Sequence, residues 1–122
     1  MNIHSVFIAV TLASAASAGL AQTERSEIGY ERGALGFEAL MANDNERALR
    51  QLLSERSIAR SDPARLINLG RAYARLGNVD KARESFEAAA NCRDDFDLIL
   101  SDGSIINSRK AAKIAIRNLD KR

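Results

Sequence analysis

The chain has 122 residues, about one domain's worth, of which 46% are apolar and 28% charged, with both signs interspersed. That balance excludes a disordered chain, and a formal net charge of +2 is too small to argue for nucleic-acid binding by itself. One proline and seven glycines, set among abundant Ala, Leu and Arg, favour helices over a sheet-rich fold.

Residues 1–21 stand apart from the rest. Met1 to Ala21 carries no Lys, Arg, Asp or Glu, and Val6 to Leu12 is almost wholly apolar. Small residues follow, and Ala16-Ser17-Ala18 and Gly19-Leu20-Ala21 both offer the small-x-small pattern of a signal-peptidase site. A membrane span needs about 20 apolar residues, and this run gives way to Ser and Ala too early. An export signal cleaved after Ala21 is therefore expected, although only the amino terminus and His4 stand where a Lys or Arg normally opens such a segment. Cleavage would remove His4, the only histidine, and leave a single thiol, Cys92. A lone cysteine in an oxidising compartment is buried, reactive or paired with another chain, and burial is the commoner fate.

Helical periodicity predicts helices over 28–42, 44–57, 63–76 and 79–91. Asn43-x-x-Glu46 reads as a capping box opening the second of these. Asp62 can accept from the free amides of the third, and Pro63 suits its first position. Leu66, Leu69, Tyr73 and Leu76 then form one apolar stripe, with Gly70 leaving room for a close neighbour. Gly77 stands just past the helix, where a left-handed residue is cheap only for glycine. Ala82, Phe86 and Ala89 form the facing stripe, small-large-small, so that Phe86 can insert between helices.

The residues Leu69-Gly70, Tyr73, Gly77, Ala82, Phe86 and Ala89 reproduce an L-G-x-x-Y…A-x-x-x-F…A skeleton, and the segment resembles a tetratricopeptide repeat. The opening Trp of that family is Leu66 here, and its closing Pro falls on Asp94. A shift back by about 34 residues, one repeat length, lands Leu35, Gly36, Ala48 and Leu52 on Leu69, Gly70, Ala82 and Phe86. In this fainter copy Asn43 takes the place of Gly77, Ala39 that of Tyr73 and Glu55 that of Ala89. The resemblance implies a weak repeat over 28–61 and a strong one over 62–95.

The end of the chain departs from the repeat. Phe96 to Ser101 and Ser104-Ile105-Ile106 flank Asp102-Gly103, a two-residue hairpin signal. A lone hairpin is marginal in water, so its Leu and Ile are expected to cover the open end of the helical stack. Ser108 is expected to cap a final helix through Leu119, with Ala111, Ile114, Ala115 and Leu119 buried. Because repeats need about three copies to bury their apolar faces, the hairpin and this helix substitute for a third, or a second copy of the chain does. The expected fold is all-α: two antiparallel helix pairs over 22–95, then a small hairpin and closing helix over 96–122.

The resemblance also implies a concave groove, lined by the first helix of each repeat, that holds a peptide or another protein. Its positions are Tyr30, Gly33, Phe37, Leu40 and Met41, then Ala64, Ile67, Arg71, Ala74 and Arg75. Tyr30, Phe37, Ile67, Arg71 and Arg75 are the candidates for partner binding. An aromatic wall beside two guanidinium groups suits a peptide with apolar and acidic side chains. The carboxylate-clamp version of the family requires Lys and Asn where Gly33 and Phe37 stand; only Asn68 matches, so the clamp is excluded. The plainer reading makes Arg71 and Arg75 a solvated helix face and packs Tyr30 and Phe37 under the N-terminal segment. A second surface is the last helix, where Lys110, Lys113, Arg117 and Lys121 recur beside Arg109 and Arg122, with only Asp120 opposing. Such a stripe suits anionic lipid or an acidic partner, though the modest apolar side of the helix favours the plainer reading, a solvated face lying over a buried stripe.

No chemistry is expected. Without a histidine there is no Ser-His or Cys-His pair, and one Cys cannot build a zinc site. Phosphate-binding glycine motifs are absent, and Asp94, Asp95 and Asp97 lack the glycine and glutamate of a calcium loop. The chain is expected to be a non-catalytic, cofactor-free scaffold in the periplasm of a Gram-negative bacterium, an adaptor or assembly factor. Its partner would be another protein or peptide rather than nucleic acid, with a homodimer or a membrane-surface role as alternatives.

Overall fold

The computed structural model describes residues 29–100 and 102–122; the expected export signal, residues 1–21, lies outside them. Short polar side chains set the helix starts. Helix α2 (Asn45–Ser54) opens on Asp44, whose carboxylate accepts from the Arg47 amide at 3.1 Å. Helix α3 (Pro63–Arg75) opens on Asp62, which accepts from the Arg65 amide at 3.0 Å, and Pro63 takes the first turn as expected. Asn78 caps α4 (Val79–Ala90) through the Lys81 amide, and Asn107 caps α5 (Ser108–Asp120) through the amides of Arg109 and Lys110. Between α4 and α5 lies a two-stranded antiparallel ribbon, β1 (Asp97–Ile99) and β2 (Ile105–Asn107), with Leu98 opposite Ile106. The fold is the expected one, mostly helical, with a small hairpin and a closing helix.

Several local expectations are corrected. The helix expected over 28–42 is only Phe37–Met41, here α1, preceded by turns. Gly33 and Gly36 adopt φ values of 85° and 60°, and a right-handed helix cannot run through left-handed residues. Asn43 does not cap α2; it takes φ 57°, the left-handed slot that Gly77 fills with φ 82° one repeat later, and Asp44 does the capping. Ser108 is not the cap of α5. It is fully buried, its Oγ accepts from the Phe96 amide at 3.2 Å, and its own amide donates to the Phe96 carbonyl at 2.8 Å, locking the ribbon to the helix. The hairpin turn is longer than two residues: Leu100 pairs with Ser104, and the Gly103 amide closes the turn onto the Leu100 carbonyl at 2.9 Å.

The core is centred on α3, α4 and α5. Ala82, Phe86 and Ala89 are buried as expected, together with Ile67, Ala112 and Leu119. Gly70 lies against the Phe86 ring so closely that a Cβ there would stand 2.5 Å from Cε1. The earlier segment repeats this relation: a Cβ at Gly36 would meet the Ala48 carbonyl oxygen at 3.2 Å and Leu52 Cγ at 3.4 Å. Leu76 departs from its stripe: it is the C-cap of α3 and is 42% exposed. On α5 the sealed line is Ala112 and Leu119, while Ala111, Ile114 and Ala115 are only half-buried. Ala111 and Ala115 stay partly open because they form the rim of a groove.

Arg65, on the first turns of α3, is 4% exposed. Its Nη2 donates to the Leu52 carbonyl at 2.7 Å and its Nη1 to the Ile58 carbonyl at 3.1 Å. Nothing in the periodicity marked this residue, since a helical Arg normally reads as surface.

Candidate functional site

A groove of about 220 Å³ runs along α3. Ile67, Asn68, Arg71 and Arg75 of α3 form its base; Phe37, Leu40 and Met41 of α1 form one wall. Leu98, Ile99 and Leu100 of the hairpin, with Ala111 and Ala115 of α5, form the other. A second depression continues from it past Arg71, Arg75 and Phe86 to Asn118 and Arg122. Among the described residues, three guanidinium groups therefore line this continuous surface and no carboxylate does.

The three arginines are not equivalent. Arg75 Nη1 donates to the Leu40 carbonyl at 2.8 Å, tying α3 to the end of α1. Arg122 Nη1 reaches the Ala74 carbonyl at 3.3 Å. Arg71 makes no hydrogen bond and no ion pair among the described residues. Partial withdrawal from water, and then the neighbouring charge of Arg75, lower its pKa below the ordinary arginine value. A guanidinium in that position gains from an anion arriving beside it, since the anion relieves both effects.

Four of the five candidate residues come together in this groove: Phe37, Ile67, Arg71 and Arg75. Two of them change meaning. Ile67 is only 6% exposed and belongs to the core, so it offers a floor rather than a contact side chain. Arg75 is already committed to Leu40. Tyr30 is not in the groove. Its hydroxyl donates to Asp62 Oδ2 at 3.0 Å, and burial, then the Asp62 carboxylate, raise its pKa. It lies beside Ser57, Ile58 and Ala59 and pins the N-terminal turns to the start of α3. Asn68 donates its amide to the Leu35 carbonyl at 2.9 Å, so the one residue matching a carboxylate clamp is occupied in holding the fold. Sequence reasoning missed the contribution of Leu98, Ile99 and Leu100, which depends on how the hairpin folds back.

On α5, Lys110, Lys113, Arg117 and Lys121 are exposed, and none has an ion-pair partner among the described residues. Arg109 is paired with Asp95 at 3.5 Å and donates to the Cys92 carbonyl at 2.9 Å. Asp120 turns away from the stripe to pair with Arg83. Cys92 is half-buried, and its Sγ contacts the Ser61 carbonyl at 2.8 Å. Among the described residues no helix is long and apolar enough to cross a membrane, and no cluster of metal-ligating side chains occurs.

Comparison with curated proteins and with solved structures gives no match. The family model described as Tetratricopeptide repeat matches residues 63–96, that is α3, α4 and the approach to β1. The segment that forms the base of the groove is thus similar to a tetratricopeptide repeat, and repeats of this kind generally mediate protein–protein interaction by binding other proteins or peptides and are typically non-enzymatic scaffolds.

Proposed function

We propose that the chain is a protein-interaction adaptor that takes an acidic and apolar peptide segment of another protein in the groove between α1, α3 and the hairpin. The observation that supports this is Arg71: a guanidinium with no partner among the described residues, on a surface that these line with arginines and no carboxylate. Met41, 58% exposed on the rim, and the half-buried Phe37 add apolar contact beside it. A partner carboxylate would bind Arg71 bidentately while aliphatic side chains cover Phe37 and Met41.

The test is selection of displayed dodecapeptides on residues 22–122. Enrichment of sequences that place Asp or Glu beside aliphatic residues is the expected result. Arg71→Glu is the informative variant, because Arg75 also holds α1 in place. It should weaken the selected peptides by roughly 10- to 100-fold, the worth of a hydrogen bond to a charged group, with an unchanged melting temperature. Peptides selected without acidic residues, or indifferent to Arg71→Glu, would remove the groove from consideration.

The site of action proposed is the periplasm, supported by the uncharged apolar run and small-x-small pattern of residues 1–21. Amino-terminal sequencing of the protein recovered from an osmotic-shock fraction should begin at Gln22. Recovery in the cytosol with Met1 intact would overturn export.

A further inference from the structure

We infer that the partner enters the groove as an added β-strand, hydrogen-bonded to the open edge of β1. This rests on the groove being the binding site. The register fixes which backbone groups are free. Ser108 N–H donates to the Phe96 carbonyl and Leu100 N–H to the Ser104 carbonyl, and Leu98 faces Ile106 midway between them. In an antiparallel pair bonded and non-bonded positions alternate. Phe96, Leu98 and Leu100 therefore bond toward the β2 side, to Ser108, Ile106 and Ser104 in turn, while Asp97 and Ile99 turn their N–H and C=O groups away from it. No bond from these outward groups to another element occurs among the described residues.

That edge borders the groove. Leu98, Ile99 and Leu100 are consecutive, and all three line it. Side chains of a strand alternate between faces, so a cavity flanked by one face would meet every second residue only. A cavity that meets three in a row runs along the edge. The other edge of the ribbon is less available, because Asn107 caps α5 and its side-chain amide donates to Asp95 at 2.7 Å.

The occupant is an extended segment of another protein in which aliphatic residues alternate with carboxylates. Charge complementarity selects it: among the described residues the groove opposite β1 carries Arg71 and Arg75 and no acidic side chain. Backbone pairing with Ile99 supplies the register. Alternate side chains then point toward the Phe37 wall or toward Arg71. A two-stranded ribbon is marginal by itself in water, and a third strand completes it.

The edge can be blocked without breaking the hairpin. Ile99 N–H is outside the β1–β2 ladder, so Ile99→Pro removes only the outward donor; Ile99→Ala removes only the side chain and serves as control. The probe is the fluorescein-labelled dodecapeptide selected above, followed by anisotropy, with melting temperature as the check on folding. Ile99→Pro should weaken binding at least about 10-fold beyond Ile99→Ala, the loss expected for one unmade buried hydrogen bond. N-methylation of the peptide should abolish binding at alternate residues and be tolerated between them. Equal binding by the Pro and Ala variants, with Arg71→Glu still disruptive, would overturn strand addition and leave the groove standing. Indifference to Arg71→Glu as well would defeat the groove itself. Concentration-dependent dimerisation of the unliganded chain that Ile99→Pro abolishes would make a second copy the occupant, and overturn the proposal of a foreign segment.

Discussion

Phe86→Ala is expected to cost about 4 kcal/mol of folding stability, within the range for truncating a buried Phe. Phe86 is 4% exposed, and its ring fills the space left by Gly70 on the facing helix. The ring also borders both depressions of the groove, so its removal opens the core where α3, α4 and α5 meet. Domains of this size have about 5–15 kcal/mol in total, and each kcal/mol moves the melting point by about 4–8 °C. A fall of roughly 15–30 °C in thermal unfolding is the expected reading. The coupling to Gly70 makes the account stricter. Gly70→Ala alone would drive a Cβ to 2.5 Å from the ring and should destabilise by overpacking, roughly 1–3 kcal/mol. In the Phe86→Ala background the same change should cost little or even stabilise, because the clash is gone. Additive losses in that cycle would mean that the ring and Gly70 do not share the space.

This packing is legible in the sequence, and the reason is that it is local. Asp62, Pro63, Gly70, Gly77 and Phe86 each act within one helix pair, at spacings that helical geometry fixes. The first helix was not legible in the same way. Gly29, Gly33 and Gly36 all lie within the expected 28–42 helix, and in the fold all three are left-handed. Register with the stronger repeat still placed Leu35, Ala48 and Leu52 in the core. The candidate site divides along the same line. Arg71 was readable as a position on a helix face. What its neighbours do was not: Tyr30 turns to Asp62, Asn68 to Leu35 and Arg75 to Leu40, each across 32 to 35 residues of sequence. The hairpin wall was least readable, because which of its residues face outward depends on the parity of the turn, and the turn is longer than the two-residue signal suggested.

Arg65→Ala is expected to be the second large loss, about 3 kcal/mol, and the sign needs argument because two effects oppose. Burying a guanidinium that makes no ion pair among the described residues is costly, and its Nε has no hydrogen-bond partner among them. Removing it relieves that cost. The carbonyls it serves, however, remain where they are. Leu52 lies in the last turn of α2, whose terminal carbonyls lack helical donors, and Ile58 belongs to the following loop. Hydrogen bonds to a charged group contribute about 1.5–3 kcal/mol each, and the buried stem adds packing. Two such bonds outweigh the relief, since the alternative leaves the Leu52 carbonyl facing a void. Arg65→Met separates the terms: it restores much of the packing but neither bond, so it should recover only part of the loss. Arg65→Lys has donors but lacks the fork that reaches both carbonyls, and should also fall between. Denaturant unfolding gives the order, and amide exchange over residues 55–61 gives its location. Faster exchange there, with α4 and α5 still protected, is the expected pattern. Wild-type stability for Arg65→Met would show that the desolvation cost wins and that the arginine is retained for something other than holding α2 to α3.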